Sequence, residues 1–300
     1  MGHDSFAVGD LTAIIGDNAP DEKRGQRAGY NGLWSLRHRE SDRSFFVPGI
    51  AGLNFEHIIS GEGENERDIF FEPRRSPMSF RRLSGTAGEL HQPPTETFFL
   101  ESWTTFSLRA PHYVDMDFRF RATQHVFDRG YIGLFWASYM NAPQDKSLYF
   151  RGGLEGDGGL DRWQQLCSPA HNRDCTVRGY GDEFEMTFEE GAPNALYKNF
   201  SPQRFSRPYY YGQFDDFTVI YLFDRSEGIR FTHSPSGGGG NAERETTNPA
   251  WDFQYLVPDY EVAREYGFRM RAVFRPRCTR DEVDREYEEW KQAGFGEGRA

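Results

Sequence analysis

Apolar and polar residues alternate most cleanly between Pro111 and Asn141, in PHYVDMDFRFRATQHVFDRGYIGLFWASYMN. Val114, Met116, Phe118 and Phe120 fall on one parity, Asp115, Asp117, Arg119 and Arg121 on the other. A period of two puts them on opposite faces of a β-strand, one apolar and one charged. The apolar run Tyr131–Met140 is too short to cross a bilayer as a helix and predicts a second, deeper strand. A charged strand face beside an aromatic floor predicts the lining of a cleft for a polar ligand.

The same reading predicts strands at Leu11–Ile15, Tyr30–Arg37, Phe45–Val47, Ile69–Glu72, Met78–Leu83, Thr97–Leu108, Ser147–Phe150, Phe184–Phe188, Phe217–Phe223, Ile229–His233, Trp251–Val257 and Phe268–Phe274. Ser234–Pro249, with glycines at 237–240, has no strand before it and helix after it in a phosphate-binding order, and reads as a mobile loop. Only the tail predicts a helix, over about 280–291. Thr279-Arg280-Asp281-Glu282 forms a capping box, and Val283, Tyr287 and Trp290 share a face that would dock it. Many short strands and one terminal helix predict an all-β chain: one large antiparallel β-sandwich domain over residues 1–300.

Composition sharpens this. Only 37% of residues are apolar while 16% are aromatic, so the core must be built largely of rings. A net charge of −11 argues against a nucleic-acid partner, whose phosphates it would repel. No membrane insertion is predicted. The N-terminus MGHDSFAVGD has neither a basic nor an apolar leader region, which predicts a cytoplasmic protein, or an exported one whose signal is absent from this chain. Three cysteines are too few for a disulfide scaffold. The run Cys167-Ser-Pro-Ala-His171-Asn-Arg-Asp-Cys175 has no standard zinc spacing and leaves a disulfide, free thiols or a metal open. No cofactor is predicted, and the oligomeric state is not written in the sequence.

The opening GYNGLWSLRHRESDRSFFVPGIAGLNFEHI resembles the start of galactose-mutarotase-like β-sandwiches. Ser138–Asn141, SYMN, resembles part of the mutarotase motif N-H-S-Y-F-N, and the Phe268–Pro276 segment resembles the last strand of that fold. The chain also resembles a group of uncharacterised bacterial proteins carrying LFVP-x-x-AGLN-x-EHI and PHY-[IV]-DM segments. The resemblance implies a supersandwich and a carbohydrate ligand. The family motif places a catalytic His directly before Ser-Tyr, where this chain has Ala137, and the family's late Glu motif has no match. Simple aldose mutarotation is therefore not implied.

The expected function is a carbohydrate-active enzyme of lyase, hydrolase or epimerase type. It would work by acid–base chemistry of His57, His112, His171, Tyr139 and Arg109. His57 and His112 sit at predicted strand ends and His171 in a Pro-containing loop, positions suited to proton transfer. Glu56 precedes His57, but neighbours on a strand face opposite ways, so the two share a cleft only if the strand has ended. Sugar rings stack on flat aromatic surfaces, which makes Trp34, Trp136, Tyr210 and Trp251 candidate binding residues, with Glu56 and Glu101 as polar contacts. The alternative is a non-catalytic glycan-binding protein using those rings as platforms. The enzyme reading requires at least two histidines and a carboxylate to meet in one pocket.

Overall fold

The computed structural model describes residues 2–62, 69–192 and 194–295. Strands hold 48% of the residues and helices 9%, so the aromatic, turn-rich sequence is all-β as expected. One sheet runs from Asn54–Ile59 through Tyr131–Ala137, Ala250–Pro258, Ile229–Ser234, Thr176–Gly179, Phe200–Phe214, Phe217–Phe223, Tyr266–Pro276, Tyr113–Ala122, Leu100–Arg109 and Ala87–Gln92 to Ser79–Arg82. Leu148–Leu154 also pairs with Phe200–Phe214 and carries Arg162–Leu166 on its other side. The pairing is antiparallel except between Thr176–Gly179 and Phe200–Phe214, which run parallel.

Aromatic burial folds this ribbon onto itself. Phe118, on Tyr113–Ala122, lies 5.4 Å from Phe55 and 4.7 Å from Trp136, ring centre to ring centre, although their strands are far apart along the sheet. Trp136 stacks between Phe55 and Phe253, 5.1 Å from each. Offset and edge-on rings add to the area they bury, and they make up most of the sandwich interior. A three-stranded sheet, His3–Val8, Leu11–Gly16 and Gly32–His38, covers one flank, with Phe6 against Phe80.

The alternation of Tyr113–Ala122 is as expected, its apolar parity buried and its charged parity turned outward. Among the described residues, that charged face lines none of the cavities at Glu56, Asp182 or Asn18. Asp115 accepts from Arg271 Nε at 2.6 Å and pairs with Arg109 at the same distance; Glu101 accepts from Arg121 Nη2 at 2.8 Å and lies 3.0 Å from His91 Nε2. Cross-strand pairs neutralise the face.

The helix forms at Arg280–Gln292 with the capping box in place. Val283, Tyr287 and Trp290 pack with Tyr209, Tyr211, Ile220, Leu222 and Val273 on the outer side of three strands. Three strand expectations fail. Phe45–Val47 forms only an isolated bridge, Phe46 with Met140. Ile69–Phe71 is a 3-10 turn leading into the helical turn Glu72–Arg75, because Pro73 suits a helix start and cannot donate to a ladder. Phe184–Phe188 joins no ladder; the Phe184 carbonyl accepts from Arg230 and the Thr187 carbonyl from Tyr131, so side chains meet needs that a partner strand would have met. The glycine-rich segment carries a small hairpin, Gly240–Asn241 with Thr246–Thr247. No helix among the described residues is long and apolar enough to cross a membrane. Cys167, Cys175 and Cys278 are free thiols.

Candidate functional site

Three neighbouring strands have two buried faces. On Ala250–Pro258, Trp251, Phe253, Tyr255 and Val257 enter the sandwich interior, while Ala250 and Leu256 join a second apolar cluster on the other face. Asp252 and Gln254 share that second parity. Tyr131–Ala137 divides likewise: Ile132, Leu134 and Trp136 point inward, and Tyr131, Phe135, Ala137 and then Tyr139 point to the second face.

Asn54–Ile59 breaks the rule. Its register against Tyr131–Ala137 slips between Phe55, opposite Trp136, and His57, opposite Phe135. The slip is a β-bulge, with Glu56 and His57 together facing one partner residue. Phe55 and Ile58 stay in the interior cluster while Glu56 and His57 both reach the second face. The expectation that these two can share a cleft only where the strand ends is therefore corrected.

A cavity of about 330 Å³ opens on that face. Its lining includes Glu56, His57, Tyr139, His171 and Asp252, walled by Tyr30, Phe70, Phe71, Arg74 and Tyr197. Glu56 Oε1 accepts from the Tyr139 hydroxyl at 2.5 Å and from Arg74 Nη1 at 3.2 Å. The Arg74 guanidinium also donates through Nε to the Gly29 carbonyl and lies 4.1 Å over the Tyr30 ring. Asp252 is 1% exposed and accepts from the Ser138 backbone N–H at 2.9 Å. His57 stacks on Phe135 at 5.0 Å and meets Phe71 edge-on at 4.5 Å; neither ring nitrogen has a hydrogen-bond partner among the described residues. Nε2 lies 3.5 Å from Glu56 Oε2. His171 Nδ1 is 2.8 Å from the Ser234 hydroxyl.

Burial sets the protonation states, since desolvation penalises the charged form. It raises Asp252 well above the carboxylate range, helped by the nearby Glu56 charge. It raises Glu56 as well, opposed by Arg74 and the Tyr139 hydrogen bond. Burial and Arg74 push His57 down to about 3, and burial alone lowers His171. Tyr139 is held far above the phenol range by burial and Glu56, so its hydroxyl stays a donor. The cavity thus collects two carboxyl groups with a raised affinity for protons, two imidazoles with a lowered one and a phenol.

Glu56, His57, Tyr139 and His171 are the sequence candidates that meet here. The rest lie elsewhere. His112 sits on the flank, Nδ1 3.8 Å from Asp10 Oδ2, and Arg109 pairs with Asp115 on the outer face. Trp34 is buried under the three-stranded sheet and donates to the Asp17 carbonyl. Glu101 is held by His91 and Arg121. Trp136, Tyr210 and Trp251 are interior side chains, the last two spending their polar atoms on backbone carbonyls. These rings follow the inward parity of their strands, which periodicity alone assigns only when one face of a strand is wet.

Sequence reasoning missed Asp252, Tyr30 and Arg74. Asp252 had a signal: Asp and Gln alternate with rings in Trp251-Asp-Phe-Gln-Tyr, polar residues inside a strand otherwise read as core. Arg74 had none: it falls between the predicted strands Ile69–Glu72 and Met78–Leu83, in a stretch given no element.

Asp10, His38 and His112 also place donor atoms within 4.8 Å of one another. His38 Nδ1 accepts the Glu40 N–H at 3.1 Å, which leaves the ring proton on Nε2, the atom facing Asp10. That nitrogen has no lone pair to offer a cation, and the cluster acts as a clasp for the flank.

The architecture is that of galactose-mutarotase-like β-sandwiches. It is similar to a putative aldose 1-epimerase from Escherichia coli K12, with TM-score 0.52 and 10% identity over 92% of this chain and 99% of that one. It is also similar to the Slr1438 protein of Synechocystis sp. PCC 6803, with TM-score 0.50 and 8% identity over 92% of this chain and 96% of that one. No family model and no curated protein matches the chain in sequence. At such identities the likeness defines the fold, and function has to be argued from the site.

Proposed function

We propose that this protein is a carbohydrate-active enzyme that moves protons at a sugar held in the Glu56–Asp252 cavity. The observation that carries the reading is the meeting of two buried carboxyl groups of raised pKa with His57, His171 and Tyr139 in one cavity. Opening a cyclic hemiacetal needs a base for the anomeric hydroxyl proton and an acid for the ring oxygen. Asp252, kept neutral by burial, has the proton to give. Glu56, more basic than an exposed carboxylate and held by Arg74 and Tyr139, is the acceptor. As the anomeric O–H proton passes to Glu56, the carbonyl forms, the bond from C1 to the ring oxygen breaks, and Asp252 protonates that oxygen. Re-closure on either face of the carbonyl returns both protons. His57 and His171, neutral and facing the cavity, can donate and accept hydrogen bonds from hydroxyls.

The imidazole that the mutarotase motif puts before Ser-Tyr is absent at Ala137. On this face it is supplied by His57, one strand over and stacked on Phe135. Of the rings that the glycan-binding alternative draws on, Trp34, Trp136, Tyr210 and Trp251 are 0–4% exposed, which favours the enzyme reading. The test is anomer interconversion, followed by polarimetry or NMR, over a panel of neutral and acidic sugars. Catalysis of at least one sugar that is lost in Glu56→Gln and Asp252→Asn supports the reading. Thermal stabilisation by sugars with no turnover would replace it with a binding protein.

A further inference from the structure

A second cavity, of about 560 Å³, lies beside the first and is lined by Asn18, Ala28, Gly29, Phe71, Arg74 and Arg75. The two share Phe71 and Arg74. Two stretches of chain run through both: Tyr30 faces the inner cavity while Ala28 and Gly29 face the outer, and Phe70 faces the inner while Arg75 faces the outer. They form one trough, with the Arg74 guanidinium set over the Tyr30 and Phe71 rings at the waist. Each cavity alone falls within the size range of small-ligand sites.

We propose that the enzyme acts on the reducing-end unit of a saccharide of at least two units, the second unit occupying the outer cavity. This inference rests on the carbohydrate reading of the inner cavity. The inner cavity holds the acid–base groups, and the Phe71–Arg74 wall that it shares with the outer cavity gives a longer chain a path between the two. There Phe71 gives an aromatic wall, and the Arg74 guanidinium, held by the Gly29 carbonyl and Glu56, has its remaining N–H groups for hydroxyls. Gly29, at φ +87°, keeps the trough open; a Cβ there would meet Arg74 Nε at 3.2 Å.

The experiment compares binding of a disaccharide and of its reducing-end monosaccharide, by calorimetry, in the native protein and in Ala28→Trp. Ala28 is exposed, so the indole fills the outer cavity without entering the core, and an unchanged melting point shows that the variant folds. The expected result is disaccharide binding at least tenfold tighter than monosaccharide binding in the native protein. In Ala28→Trp that advantage disappears while monosaccharide affinity stays the same. Equal affinities in the native protein, or an advantage that survives Ala28→Trp, overturn the inference and leave the inner site standing. If neither sugar binds the native protein, the carbohydrate reading itself fails and the inference falls with it.

Discussion

Burial raises the proton affinity of the Asp252 carboxyl, and this makes a prediction that separates chemistry from stability. Asn reproduces the shape of a protonated carboxyl and can still accept from the Ser138 N–H. Asp252→Asn is expected to keep the melting point within a few degrees while lowering sugar turnover by about 10²-fold or more, the range for losing a positioned general acid. Parallel thermal melts and anomer-exchange rates check it; equal loss of both would mean the carboxyl is structural. Tyr139→Phe removes the phenol that donates to Glu56. The Glu56 carboxylate then loses a stabilising partner and becomes more basic, so the acid limb of the activity–pH profile moves upward, readable by initial rates from pH 4 to 8.

Among the elements, the terminal helix and the bulged strand carry different kinds of information. The helix was legible because its signals are local: a capping box and a stripe of period 3.6. It is placed on the outer face of three strands, and none of its residues lines either cavity of the trough. Trp290→Ala is expected to cost about 3–5 kcal/mol of stability, as for other large-to-small changes at buried rings, without altering sugar affinity. Urea titration and calorimetry together test this. The strand at Asn54–Ile59 was legible only as part of an apolar segment with a strand end near His57; Glu56 and His57 stood out as candidates, but their common orientation depends on a one-residue slip against Phe135 that no pattern in the chain announces. Trp136, Tyr210 and Trp251 misled for a related reason. An aromatic residue on a strand reads alike whether it faces a ligand or a core, and only the partner sheet decides. Arg74 was hidden because Pro73 turns an apolar run into a helical turn.

Across the whole molecule, acid response follows from how many ionisable groups the fold holds neutral. His57 is pushed down to about 3, and His112 and His233 to about 4, each chiefly by burial. Unfolding frees them to protonate below about pH 6.5, the ordinary imidazole value, so each costs stability as the pH falls from there toward its folded value. Asp252 and Glu56 act in the opposite sense. Their raised values let the native state hold protons that the unfolded chain has released above pH 5, which offsets part of the histidine uptake. Replacing Asp252 by Asn deletes one of those offsetting protons. Between pH 5 and 6 the variant should therefore lose stability more steeply than the native protein as the pH falls. Unfolding free energies at several pH values measure the slope, and parallel slopes would show that Asp252 is ionised in the fold.

The bulge at Glu56 also has a genetic meaning. One inserted codon in an otherwise regular strand is enough to swing a carboxylate and an imidazole onto the same side of a sheet whose hydrogen bonding resumes one residue later. Loss of one residue there is expected to restore even pairing and separate the two side chains. A trait held by a single reading-frame triplet is gained and lost far more readily than one spread over many substitutions. On a scaffold this tolerant, sequence kinship and shared chemistry can part company in one step.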